Sequence, residues 1–493
     1  MLVMVTLCAI AGCASEPKNP PPPPPSRAEL FVKHHTGGTH YRTIVHQGHW
    51  YQTFGTSLLV IKPDSGAVVS TVELGEFGKS GPATDMAILG DRMLVLIEEE
   101  RIVELSLANL AQPGIRSAVT AAELGVEPVA FSMVDGELMI GGRGAVVRWS
   151  DRQAIARFEE VPSSIVRADK GLVATIGQQI MSVIDKSYVG AASMLAMAEP
   201  VALHNGAMVC IRQGPGGATA GLLSRDLVEL RNTSVAVQGT VHRVRQFGGR
   251  VWIVSDREIV ACRISGEALT DPYRIDVLGA QDVDRIDDNH LAIAGSFGRS
   301  IYRIVSSSAG PGDTFLATKR EASALLRARS DPQRILAGSE EGAWLYLIGT
   351  RAEPSTLTLE TATSPFSGAS FPGTTAKIEE DGRTLTINTG GKISTHQEPR
   401  TMLRCLLVIE GNIWIGHDRG ITVMVRQADQ TWIPGHRLRL PGSVIHFRAL
   451  LAGGGAAFVS SYGGFGVAEF KHIPLTQEEI KELEKQKTQK QAT

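Results

Sequence analysis

The sequence is poor in the residues that usually announce chemistry. Across 493 residues there is no C-x-x-C-H for covalent haem, no G-x-S-x-G nucleophile turn, no G-x-x-x-x-G-K-S/T phosphate loop and no H-E-x-x-H zinc helix. Charge of either sign is scarce in excess, with a net value of −2, so no general electrostatic pull toward nucleic acid exists. Aromatic residues make up only 5%, which argues against a broad carbohydrate-stacking surface. Five cysteines are too few and too scattered for a disulfide framework. Patterns with the 3.6-residue period of an amphipathic helix are nearly missing. What remains is abundant Val, Ile and Leu in short runs punctuated by 52 glycines and by Asp and Asn, the usage of many short strands.

The longest opening apolar run, residues 1–12, falls well short of the roughly 20 residues needed to span a bilayer as a helix. It reads as a signal h-region ending in Ile10-Ala11-Gly12-Cys13. That tetrapeptide resembles the bacterial lipobox, which implies cleavage before Cys13 and a diacylglycerol on its thiol. Pro20 to Pro25 follow without a break and form an extended spacer rising about 3.1 Å per residue.

Beyond Leu30 a strand–turn–strand module recurs. The clearest copy is 411–425, GNIWIGHDRGITVMV; others lie at 90–105, 136–149, 249–264, 289–304 and 382–395. Degenerate copies near 48–61, 171–184, 206–224, 335–348 and 455–470 bring the number to ten or eleven, about 30 to 50 residues apart. A lone hairpin that is apolar on both faces needs neighbours to cover it, and blades packed round an axis provide them. Residues 411–421 resemble the G-x-L-W-I-G-T-x-x-G-L repeat of two-component-regulator propellers, with His417 in place of Thr. Leu58 to Gly66 resembles the turn of YVTN and quinoprotein-type repeats.

The expected fold is therefore all-β: a β-propeller of seven or more blades, as a single ring interrupted by the Pro/Ser/Thr-rich stretch 350–375, with a short C-terminal helix. The expected organisation is a lipoprotein signal at 1–13, a Pro-rich linker at 14–30, the propeller at 31–472 and a charged helix at 473–493. In that helix Thr476 and Glu479 have capping-box spacing.

Side chains of the kinds that carry chemistry cluster in few places. His34, His35, His40, His46 and His49 crowd together, but without a Cys or carboxylate among them, and His46 and His49 are expected on opposite faces of a strand. Asp282, Asp284, Asp287 and Asp288 lack the Gly and Glu of a calcium loop and read as a solvated turn. Glu98-Glu99-Glu100 reads as a turn between strands, and Gly214 to Gly217 precede no helix that could bind phosphate. Trp252, Trp414 and Met139 fill one slot of the repeat and read as packing between blades. Cys210, Cys262 and Cys405 sit among apolar residues and read as buried thiols.

No catalytic residue, metal ligand or cofactor is assigned. Function is expected to be that of a lipid-anchored ligand- or protein-binding scaffold on the periplasmic or outer side of the cell envelope. The membrane is its partner through the anchor, and a protein or small molecule through the propeller. The alternative is a propeller enzyme of lactonase or quinoprotein-dehydrogenase type, with a metal in its central channel; absent motifs do not exclude it, because such enzymes gather side chains from many blades.

Overall fold

Short two-residue turns set the hairpins. Gln47-Gly48, Asp135-Gly136 and Glu410-Gly411 each place both residues at positive φ, at 47° and 75°, 52° and 80°, and 50° and 77°. Turns of this hand match the twist of the strands they join, and they favour Gly at the second place.

The computed structural model describes residues 26–36, 39–76, 79–197, 207–230, 234–265, 268–296, 298–306, 313–321, 329–331, 334–339, 342–347, 368–371, 373–398, 401–440, 442–449, 454–460, 465–481 and 485. The anchor motif Ile10 to Cys13, the proline run and most of 350–375 lie outside the described residues. Most of what is described is strand, in ten four-stranded and one three-stranded antiparallel sheets. In chain order, sheets 1 to 7 occupy residues 43–73, 83–120, 128–157, 162–191, 194–238, 241–276 and 280–321. Sheets 8 to 10 occupy 329–347, 368–397 and 403–439. Sheet 11 takes three strands from 444–474 and its fourth, Ser26–Thr36, from the other end of the chain.

Each repeat copy supplies two consecutive strands of one sheet, in most cases the second and third. The copy at 382–395 departs from this, giving the third and fourth strands of sheet 9. The structure adds one helix foreign to the repeat, Ala121–Leu124, closed by a capping box between Thr120 and Glu123 and by Gly125 at φ 66°.

Apolar cores lie between consecutive sheets. Tyr51, Leu58 and Val60 of sheet 1 meet Met86, Met93 and Val95 of sheet 2. Comparable cores join sheets 2 and 3, 3 and 4, 4 and 5, 5 and 6, and 6 and 7. The second face of sheet 1 packs on sheet 7, where Trp50, Leu59 and Ile61 surround Ala292. Backbone bonds reinforce this contact: the His40 amide donates to Gly295 O at 3.0 Å. Among the later sheets, a core of Ile378, Leu385 and Ile387 against Leu403, Ile413 and Trp432 joins sheets 9 and 10. Fully burying one such aliphatic side chain stabilises by about 1.5–3 kcal/mol, so sheets with two apolar faces hold their shape only when covered on both.

By contact the chain divides into Leu30–Glu469 and a smaller unit of Met1–Glu29 with Phe470–Thr493. In the smaller unit residues 477–481 form a helical turn, and the Thr476 hydroxyl and the Glu479 carboxylate cap each other's amides as the spacing predicts.

Candidate functional site

The first strand of most sheets carries an extra residue near its start. Register shifts fall between Ala83 and Asp85, Pro128 and Ala130, Val241 and Arg243, and Ala280 and Asp282. Such a bulge leaves one residue unpaired and re-aims the side chains beyond it. Here the residues just after the bulge include Asp85, Arg243 and Asp282, and these converge.

Arg42 stands at the centre of the cluster. Its Nε lies 2.9 Å from Asp85 Oδ1 and its Nη1 lies 2.7 Å from Asp282 Oδ2. Arg243 reaches Asp85 at 3.3 Å, and Arg245 reaches Asp284 at 3.0 Å and Asp282 at 3.7 Å. Asp282 is fully buried, which alone would raise its pKa; the Arg42, Arg245 and Arg243 guanidiniums and the Thr43 amide hold it below the ordinary range instead. Burial likewise works against the charge on Arg42, and Asp282 and Asp85 overcome it. Burial and the neighbouring Arg42 both make the charged form of Arg245 harder to hold.

The same residues tie sheet to sheet. Asp85 accepts from the Phe131 amide of sheet 3 at 3.1 Å, Ser132 from Ile165 of sheet 4 at 3.0 Å, and Ser164 from Leu195 of sheet 5 at 2.9 Å. Gln213 of sheet 5 accepts from Val241 of sheet 6 at 3.1 Å, and Arg245 of sheet 6 donates to Val283 O of sheet 7 at 3.3 Å. Asp282 and Asp284 of sheet 7 accept from Thr43 and Val45 of sheet 1 at 3.0 and 2.9 Å. Arg42, leading into sheet 1, closes back on Asp85 of sheet 2.

These first strands border a cavity of about 810 Å³. Arg42, Arg243, Arg245, Asp85, His242, Tyr41 and Glu98 line it together with the hydroxyls of Thr84, Ser132, Ser163 and Ser164 and an apolar set that includes Met86, Ile165 and Met194. His242 is held neutral by burial. A cavity of this size with a few convergent polar groups suits a small ligand.

A second polar cluster joins sheet 10 to sheet 2 round a cavity of about 110 Å³. Arg419 bridges Glu98 at 3.2 Å and Glu99 at 3.4 Å, and Arg143 holds Glu99 at 2.7 Å. Behind them the Arg419 amide donates to His417 Nδ1 at 3.2 Å, which leaves the ring proton on Nε2, facing Thr422 Oγ1 at 3.2 Å. Thr422 then donates to Glu398 at 2.6 Å. Burial lowers His417 to about 4, while Glu398 lies near 2: burial opposes its charge, and His396 and Thr422 hydrogen bonds outweigh it. With its proton pointing at the hydroxyl, His417 cannot take one from it, so this is a relay for position and not for nucleophile activation.

The sequence-predicted residues fare unevenly. Asp287 and Asp288 do form a turn, in which Asp287 accepts from the Asn289 amide at 2.7 Å. Asp282 and Asp284 do not: they belong to the strand Ala280–Arg285 and enter the charged cluster. Their i,i+2 spacing, echoed by Arg243 and Arg245, is the signal that places each pair on one face of a strand. Arg42 and Asp85 carry no such signal. Among the described residues these histidines do not gather as a metal site would. His40 is buried against Phe54 at 4.6 Å and lowered to about 3, mainly by burial. His46 and His49 are directly paired across their turn and share a face, contrary to expectation, because a two-residue loop sets them opposite each other. Side chains of His34 and His35 lie outside the described residues. Among the described residues no three His, Cys, Asp or Glu side chains group as metal ligands would.

Trp252 stacks on Phe247 at 4.9 Å in the core between sheets 6 and 7; Trp414 meets Phe447 edge-on at 6.1 Å, and Met139 lies in the core between sheets 3 and 4. Cys210, Cys262 and Cys405 are free and buried, and burial pushes the last two thiols up to about 11 and about 12. Glu98 to Glu100 and Gly214 to Gly217 sit at turns between consecutive strands.

No family model matches the chain, and no curated protein sequence matches it. Among solved structures the chain is similar to one chain of "Crystal Structure of Mitotic Checkpoint Complex", with 13% identity and a TM-score of 0.41, over 61% of this chain and 99% of that one.

Proposed function

We propose that residues 39–321 close a seven-bladed β-propeller whose channel binds a ligand, and that the protein is a non-catalytic scaffold tethered to the cell envelope. The observation that carries this reading is the chain of contacts that runs from sheet 1 through sheet 7 and returns to sheet 1, both in apolar cores and in side-chain bonds from sheet to sheet. Sheets 8 to 11 then make a second, four-bladed array in place of one large ring. The cavity of about 810 Å³ is the channel of the first. Lipidation at Cys13, following Ile10, Ala11 and Gly12, would fix the protein to a membrane on its periplasmic or outer side.

The channel does not fit the metal that the enzyme reading needs. Asp85, Asp282 and Asp284 each face at least one guanidinium within 3.3 Å, and three arginines already balance three carboxylates. A divalent cation would have to displace them, and it would meet Arg42, Arg243 and Arg245 at close range. The ion pairs hold these side chains in place, which suits recognition of a ligand by preformed contacts.

A chain trimmed to residues 39–321 tests the closure. It is expected to fold alone, with a strand-type circular dichroism spectrum and one cooperative thermal transition. A trimmed chain that stays unfolded, while the full chain folds, would favour a single larger ring.

A further inference from the structure

We infer that the channel takes a carboxylate, gripped by Arg243 and Arg245. The inference rests on reading the channel as the binding site. Both residues lie two apart on the strand Val241–Phe247 and so share its face. Their side chains are 25% and 19% exposed, whereas those of Asp85, Asp282 and Asp284 are 4%, 0% and 15% exposed. Asp282 and Asp284 stand behind the cavity wall, whereas Arg243 and Arg245 border the cavity with Arg42, Asp85 and Glu98. The cluster is neutral in sum, but three guanidiniums and only two carboxylates border the cavity, so an entering ligand meets a lining with an excess of positive charge.

The guanidiniums also have donors to spare. Each carries five N–H groups in a planar fork that matches a carboxylate with two parallel bonds. Arg243 commits Nη1 to Asp85, and its buried Nε has no hydrogen-bond partner. Arg245 commits Nη2 to Asp284 and Nε to Val283 O. Asp85 and Asp284 hold the two forks in place, which lowers the ordering cost of binding. The Thr84 hydroxyl, buried on the same cavity and lacking a protein partner, supplies one further polar contact. The carboxylate has two sources: a free organic acid, or an acidic side chain or terminus of a peptide.

Calorimetric titration of the full chain distinguishes them, with succinate for the free acid, a Glu-Glu dipeptide for the peptide and uncharged succinamide as the control. Binding of succinate or of the dipeptide, with succinamide at least about tenfold weaker, is the expected result, and the tighter of the two names the source. Arg243→Lys keeps a positive charge beside Asp85 but removes the fork, and it should weaken the bound carboxylate about tenfold. Thr84→Val serves if the arginine variant does not fold; it should weaken binding by about two- to fivefold. Unchanged affinity in a folded Arg243→Lys variant overturns the inference, as does silence from both carboxylates. Succinamide binding as tightly as succinate would also overturn it, while leaving the channel standing as a binding site.

Discussion

Replacing Asp282 by Asn removes one charge from the most buried point of the cluster and changes almost no volume. Asn can still accept from the Thr43 amide, now 3.0 Å away, but the Arg42 Nη1 contact at 2.7 Å loses its ionic partner. Breaking a buried pair by removing one member costs about 3–5 kcal/mol, and the lower end applies because Asp85 still faces Arg42. A loss of about 3 kcal/mol lowers the melting temperature of a domain this large by about 3–5 °C. Scanning calorimetry at pH 7 measures it, with Asp288→Asn as the control, since the Asp288 side chain is 83% exposed and sits in the turn.

The sign with pH follows from the lowered pKa of Asp282. Its stabilisation is complete above the unfolded carboxylate value of about 4 and is lost as pH falls through the folded one. The gap between wild type and Asp282→Asn should therefore close in acid. A melting temperature unchanged at pH 7, or one lowered equally by Asp288→Asn, would refute the argument that this cluster joins sheet 7 to sheet 1.

The remaining expectations concern histidines and the anchor. His40 and His417 are buried and lowered to about 3 and about 4, so both must stay neutral for the fold to hold. Their contribution is complete above the unfolded value of about 6.5 and is lost as pH falls toward the folded ones, at about 1 kcal/mol per pH unit for each. Urea midpoints at pH 7 and pH 5 should fall accordingly, and His40→Phe should flatten the slope; equal midpoints would contradict it. Labelling cells with a palmitate analogue should mark the protein, and Cys13→Ala should abolish the mark; label retained in the variant would remove the lipobox reading.

Much of the architecture is legible because it depends on local chemistry. The Gly-bearing turns fix where strands reverse, and Trp252, Trp414 and Met139 mark the strand that packs between sheets, since a large apolar side chain there meets the neighbouring sheet whatever the blade. The cluster is legible only in part. Asp282-Val283-Asp284 and Arg243-Val244-Arg245 show their alternation in the sequence, yet their meaning depends on the bulges that re-aim them. A bulge is one unpaired residue with no characteristic side chain, as Thr84 and His242 show. Arg42 is harder still, for its partners lie 43 and 240 residues away and nothing local requires them.

The strand Ser26–Thr36 has a further consequence for how the molecule is made. It precedes the other described strands in the chain and pairs with Phe465–Pro474, which follows them. At about 5–20 residues per second its partner emerges about 20 to 90 seconds later. Sheets 1 to 7 can assemble during that delay, inside a loop that the terminal pairing will eventually tie shut. Meanwhile an apolar stretch, Leu30-Phe31-Val32, waits without a mate, flanked by Arg27, Glu29 and Lys33. Such flanking charges discourage an unpaired strand from joining another chain. That pairing closes over a far longer stretch of chain than the sequential hairpins do, and it is there that the strand is most open to exchange with a neighbour's.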